Sequence, residues 1–141
     1  MYLADDDYKI VSDERELDVI TQSDNENREK AERTAQEEIA SYLRARYDID
    51  KEFSRKGNER NAYLVTIAVN ITLYYMVHSL PHRMASEARH ELYESAVSWL
   101  KSVQAGKAMP NLPIYTDEEG NETNASNPIR YGTMPRNKND Y

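Results

Sequence analysis

The chain has 141 residues, enough for one domain and tight for two, and its 25 Asp plus Glu against 18 Lys plus Arg give a net charge of -7. Without cysteine it can form no disulfide, zinc finger, thiol nucleophile or iron–sulfur site, and its 4 glycines make no phosphate- or dinucleotide-binding loop. Net acidity argues against generic binding to a phosphate backbone, and 11 Tyr beside 1 Phe and 1 Trp point to surfaces half apolar and half wet.

The N-terminus has neither the basic start nor the apolar stretch of a secretory signal, so none is expected. Asp5 to Tyr8 reads as one helical turn with acids at its start, where the helix dipole favours them. Ser12 then caps a predicted helix over 13–21, with Leu17 and Ile20 as its apolar stripe. A second helix starts at a cap on Asp24 or Asn25 and runs to about Tyr47. Ala31, Ala35, Ile39, Tyr42, Leu43 and Tyr47 share one face of it, and Glu26–Lys30 and Glu29–Arg33 are spaced as i,i+4 pairs.

Residues 48–59 read as a polar loop ending in the turn signal Gly57-Asn58, with Asn58 as the expected cap of a third helix over 59–79. This third helix carries two stripes. One is Leu64, Ile67, Ile71, Tyr74 and His78; the other is Val65, Val69, Leu73 and Met76. Two stripes place it at the centre of the body. The 22 residues between Arg60 and Arg83 carry no Asp, Glu, Lys or Arg, which is long enough to span a bilayer. Asn61, Thr66, Asn70, Thr72, two His and Pro81 instead favour the central helix of a soluble bundle.

Pro81 ends that helix, and a fourth follows over 84–104. Its expected core face is Met84, Ala88, Leu92, Ala96, Trp99 and Val103, widened by Tyr93, Val97 and Leu100. Gly106 stands where a helix-terminating glycine belongs. From Lys107 onward periodicity disappears, and four of the 5 prolines and six asparagines fall in 107–141. The expected organisation is an all-α bundle of four to five helices over 1–106, two of them long and central, with an extended or disordered arm over 107–141. Acidity is confined to the start: residues 1–60 hold 17 acids and 11 bases, 61–105 hold 3 and 3, and 106–141 hold 5 and 4.

Residues that carry chemistry are sparse. His78 and His82 have the i,i+4 spacing of helical metal ligands, but Pro81 lies between them, so no metal site is expected. His90 stands alone on an exposed face. Asp117-Glu118-Glu119-Gly120 lacks the alternating register of a calcium loop. The sequons at Asn70, Asn121 and Asn124 mean little without a secretory signal. No catalytic constellation and no cofactor motif emerges, so no enzyme activity is expected. One basic cluster stands out: Arg44, Arg46, Lys51, Arg55, Lys56 and Arg60, with Tyr42, Tyr47 and Phe53. It suits a nucleic-acid-binding or regulatory module, or else it serves the helix dipole and pairs with neighbouring acids.

Several ordered pieces carry a resemblance. They are Met1-Tyr2-Leu3 with Asp7-Tyr8, Tyr42-Leu43-Arg44-Ala45-Arg46-Tyr47-Asp48, and Leu73-Tyr74-Tyr75-Met76 with Leu80-Pro81. The last is Arg89, Tyr93, Ala96, Trp99-Leu100 and Val103-Gln104-Ala105-Gly106-Lys107. Over roughly residues 1–115 this order resembles a Mu-like prophage protein family of the phage head–tail connector, or neck adaptor, type. The arm after Tyr115 is longer and richer in Asn than that family's pattern. The resemblance implies a helical, non-catalytic subunit of the virion neck, assembled in the host cytoplasm. It implies a ring of copies of itself, typically a dodecamer in the virion, between the portal and a tail-side connector or terminator protein. DNA passes through without specific binding, and no membrane is involved.

Physical reading adds candidate surfaces. A closed ring needs two different faces that meet. Tyr42, Arg44, Arg46 and Tyr47 at a helix end, and Ile129, Arg130, Tyr131 and Met134 on the arm, are the expected subunit or partner contacts. Glu29, Glu37 and Glu38 are candidates for an acidic lumen that repels phosphates, or for an ordinary solvated helix face.

Overall fold

The structure is a computed structural model that describes residues 2–10, 25–78 and 86–116. The helix expected over 13–21, Pro81 and His82, the two later sequons and the arm beyond residue 116 lie outside the described residues, as does the His78 side chain.

The described chain is helical, as the patterning predicts. A 3-10 turn over Asp5–Ile10 is followed by α1 (Asn25–Leu43), α2 (Ile49–Phe53), a second 3-10 turn (Gly57–Glu59), α3 (Ala62–His78) and α4 (Ser86–Gln104). No helix among the described residues is long and apolar enough to cross a membrane.

α3 is the central element. Of its expected stripes, the second is buried in full, and the first is buried at Leu64, Ile67 and Ile71 with Tyr74 half-buried, because α1 and α4 both pack on it. The Asn70 sequon falls within this buried helix, with Asn70 only 7 % exposed. α3 starts later than 59: Gly57-Asn58-Glu59 forms its own turn, Arg60 is extended, and Asn61 is the cap, its Oδ1 accepting the Leu64 N–H at 2.9 Å.

α1 buries Ala31, Ala35, Ile39, Ala40 and Leu43. It ends at Leu43 and not at Tyr47, although the Arg44, Arg46 and Tyr47 N–H groups still donate to carbonyls of Ala40 and Leu43. The chain breaks off there because Asp48 caps a new helix. Its carboxylate accepts the Lys51 N–H at 3.2 Å and opens α2. The polar loop expected over 48–59 therefore contains a helix whose Ile49 and Glu52 are buried.

α4 runs parallel to α1 and antiparallel to α3. Tyr63 of α3 meets Trp99 at 4.9 Å between ring centroids, and Tyr74 stacks on Tyr93 at 3.9 Å. Its buried side is Arg89, Ala96, Leu100 and Val103, with Tyr93 half-buried. Ala88 and Leu92, expected in the core, are exposed, and Trp99 is only half-buried. The reason is geometric. Two neighbouring helices cover one side of α4, while its apolar positions spread around more of the circumference than that.

Gly106 has φ +81° and ends α4 as expected. The arm's first ten residues, 107–116, do not leave the body. Leu112 and Pro113 are buried, the Asp48 N–H donates to the Pro113 carbonyl at 2.8 Å, and Asn61 Nδ2 donates to the Asn111 carbonyl at 3.0 Å.

Candidate functional site

The tyrosine excess and the N-terminal acidity have a shared outlet: buried and half-buried carboxylates accept phenol hydrogen bonds. Tyr2 donates to Glu52 Oε1 at 2.9 Å, and Tyr8 donates to Glu32 Oε1 at 2.5 Å. Tyr75 and Tyr93 both donate to Glu38, Tyr93 at 2.8 Å. Glu52 is fully buried and also accepts the Asn61 N–H at 2.6 Å and an Arg55 bond at 3.1 Å. Burial, reinforced by the adjacent carboxylate, raises the Tyr2, Tyr8, Tyr75 and Tyr93 phenols, which stay protonated donors at neutral pH.

These bonds fasten the N-terminal segment to the bundle. Arg60 donates to both oxygens of Asp7, at 2.6 and 3.1 Å, and to the Tyr2 carbonyl at 2.7 Å. Burial alone would raise the Asp7 carboxyl, but the Arg60 guanidinium and the Ala4 N–H hold it below the usual carboxylate range. Arg28 bridges Glu32 and Asp5 and lies 4.7 Å above the Tyr8 ring.

Half of the basic cluster is paired within the chain. Arg44 pairs with Glu37, Arg55 with Glu52 and Arg60 with Asp7. The Arg46 guanidinium lies against Gly106, where an added Cβ would come within 3.2 Å of Nη1. The bonds that hold Arg44, Arg55 and Arg60 oppose a patch built to grip a phosphate backbone. Among the described residues no group of His, Asp and Glu is placed to hold a metal ion.

Of the proposed acidic trio, Glu29 and Glu37 are exposed, with Glu37 held by Arg44. Glu38 is half-buried and occupied by its two tyrosines, so it does not belong to a free acidic face. Beside it runs a groove of about 630 Å³ whose rim mixes Lys30 and Arg33 with Glu37. Sequence reasoning missed the tyrosine–carboxylate bonds because the partners stand 24 to 55 positions apart. The one signal for them was the joint excess of Tyr and acids.

The expected contact residues at the end of α1 fall at one end of the bundle. Tyr42 and Tyr47 are half-buried against the core, while Arg44 and Arg46 are exposed. There the segment Tyr42–Asp48 meets the segment Val103–Lys107 through the Arg46–Gly106 contact. The arm crosses the same end, and Tyr115 donates to the Arg44 carbonyl at 2.7 Å. The expected contacts Ile129, Arg130, Tyr131 and Met134 lie outside the described residues. His90 is exposed and lies 2.8 Å from Glu94.

A different surface is exposed among the described residues. Ala88, Leu92, Ser95 and Trp99 recur at spacings of three and four, so they form one uncharged strip on α4. Tyr63, 53 % exposed, adjoins it through Trp99, and Leu92 is 36 % exposed. The strip lies on the flank turned away from α1, because Tyr93, on the other flank, is the residue bonded to Glu38 of α1.

No curated protein and no solved structure matches the chain. The sequence matches the family described as Bacteriophage Mu, Gp36, over residues 2–129, which includes the described body and reaches into the arm. The match takes in both segments that meet at the end of the bundle, and it extends past Tyr115, where the resemblance was expected to stop. The chain therefore belongs to the Bacteriophage Mu Gp36 family, with a structural or assembly role in a Mu-like phage.

Proposed function

We propose that the chain is a head–tail connector subunit, a non-catalytic adaptor that forms a ring between the portal and a tail-side protein. Family membership is the observation that carries this reading. Three features support it. The body is tied together by polar bonds from Tyr2 to Tyr115, which gives a rigid unit suited to repetition. The uncharged strip on α4 is an exposed, largely apolar surface among the described residues. The junction of Arg44, Arg46 and the start of the arm at one end of the bundle offers a second, chemically different surface, as a head-to-tail ring requires.

In the ring DNA passes through the lumen without sequence-specific contact. The -7 charge and the internal pairing of Arg44, Arg55 and Arg60 keep phosphates from adhering. Deleting the gene from an inducible Mu-like prophage tests the role. The expected lysate contains DNA-filled heads and free tails that do not join, and complementation restores plaques. Normal plaque yield without the gene would reject it.

A further inference from the structure

The two parallel helices carry their charge in the same lopsided order. α1 and α4 start at one end of the bundle and finish at the other, about 28 Å away at the helical rise for 19 residues each. Every acid of α1 lies between Glu26 and Glu38, and every acid of α4 between Glu87 and Glu94. Beyond them, residues 39–47 and 95–116 contain no acid and carry Arg44, Arg46, Lys101 and Lys107. This order suits each helix dipole. It also gives the body an acidic end and a basic end.

Much of that charge is unspent. Glu29, Glu87 and Glu91 at one end, and Arg46, Lys101 and Lys107 at the other, are exposed and make no ion pair among the described residues. Arg33 is an exposed cation in the acidic stretch, and Asp50, near Arg44, is an exposed acid by the basic end. Each end keeps its sign against these single opposites.

The basic end is one continuous surface. The Arg46 guanidinium packs against Gly106, and the start of the arm crosses there to the Tyr115 bond with the Arg44 carbonyl. That crossing segment exposes Met109, at 86 %, and Ile114, at 37 %. At the acidic end, Ala88 and Leu92 are exposed apolar residues beside Glu87 and Glu91. Each end thus sets charge of one sign next to apolar surface, and the two ends are complementary. One chain cannot join its own ends, because the length of α1 and α4 holds them apart. A second copy can.

We propose that the basic end of one copy docks on the acidic end of the next, with Arg46, Lys101 and Lys107 facing Glu29, Glu87 and Glu91. The contact joins two different surfaces, so it repeats head to tail. It rests on the ring reading above for its closure: a fixed turn per copy closes a ring, and no turn gives a filament. Exposed pairs are individually weak and screened by salt, so the contact is reversible and salt-sensitive.

Exchange of charge between the ends tests the pairing in the full chain. Lys101→Glu with Lys107→Glu reverses the basic end, Glu87→Lys with Glu91→Lys reverses the acidic end, and a fourfold variant carries both. The urea midpoint checks that each variant is folded, and sedimentation equilibrium at low salt measures self-association. Each single-end reversal should weaken association about tenfold, and the fourfold variant should recover to within about threefold of the natural chain. Net charge alone predicts the opposite for Glu87→Lys with Glu91→Lys, because two reversals of two units each move the chain from -7 to -3 and reduce its self-repulsion. A natural chain that stays monomeric at ~1 mM overturns the proposal, as does association that neither reversal weakens or that the fourfold variant does not recover. Loss of low-salt DNA binding in Lys101→Glu with Lys107→Glu, at unchanged self-association, assigns the basic end to nucleic acid and also overturns it. Rings that seat on a portal whatever the end charges reject this pairing and leave the connector. Charge-dependent association beside a portal that stays bare rejects the connector and leaves the pairing.

Discussion

Replacing Arg60 by Met tests the claim that the N-terminal segment is bolted to the bundle. Met keeps much of the side-chain length but removes every donor. Asp7 would lose two charge-assisted bonds, at 2.6 and 3.1 Å, and the carbonyls of Tyr2 and Gly57 would lose bonds of 2.7 and 2.9 Å. The Asp7 and Arg60 side chains are each only 11 % exposed, so water replaces little of this. Leaving one partner of a buried pair uncompensated costs about 3–5 kcal/mol, and about 3 is the appropriate end for a pair near the edge of the body. That is a large fraction of the ~5–15 kcal/mol that holds a domain of this size. In a body of this length it lowers Tm by roughly 12 °C or more. Urea titration followed by far-UV circular dichroism and Trp99 fluorescence measures it. Asp7→Ala and the double variant complete a cycle, with an expected coupling of about 2 kcal/mol. A loss under ~0.5 kcal/mol for Arg60→Met, or strict additivity, would refute the reasoning.

Gly106→Ala should cost about 1–2 kcal/mol, because φ +81° is left-handed backbone; Arg46→Ala removes the crowding but should not restore stability, as chemical denaturation would show. Leu112→Ala should cost about 2 kcal/mol, since the start of the arm is part of the body; no change in the urea midpoint would mean that residues 107–116 do not dock. Tyr2 and Tyr8 have phenols raised by burial and by Glu52 and Glu32. Such groups give their full stabilisation below the unfolded value of about 10 and lose it as pH climbs towards the folded value. Tyr2→Phe with Tyr8→Phe should therefore flatten the alkaline fall in Tm above pH ~10, and an unchanged slope would contradict the assignment. Asp7 has the opposite sign: its lowered carboxyl stabilises above pH ~4 and ceases to as pH falls through the folded value, so Asp7→Asn should reduce acid sensitivity.

Elements with sustained periodicity were legible in the sequence. The two stripes of α3 and the glycine at 106 repeat or punctuate the pattern clearly enough to place helices. Helix α2 was not legible, because five residues hold too little of a 3.6-residue repeat to register; only the Asp48 cap marks it. The docking of 107–116 left no pattern either, since an extended segment with prolines makes single contacts and no stripe. On α4 the apolar spacing was legible but its meaning was not. Periodicity says that Ala88, Leu92 and Trp99 share a flank with apolar character, and only the packing of α3 and α1 shows that this flank is not the one turned to the core of the described body. The basic cluster was misleading for a related reason: Arg44, Arg55 and Arg60 read as surface charge until their partners Glu37, Glu52 and Asp7 are located.

Electron microscopy of the purified chain mixed with the portal protein of a Mu-like phage tests the connector assignment most directly. The account predicts rings of the chain seated on one end of the portal, coaxial with its channel. Portal particles that stay bare at saturating chain, in a buffer where the chain is folded, would contradict it.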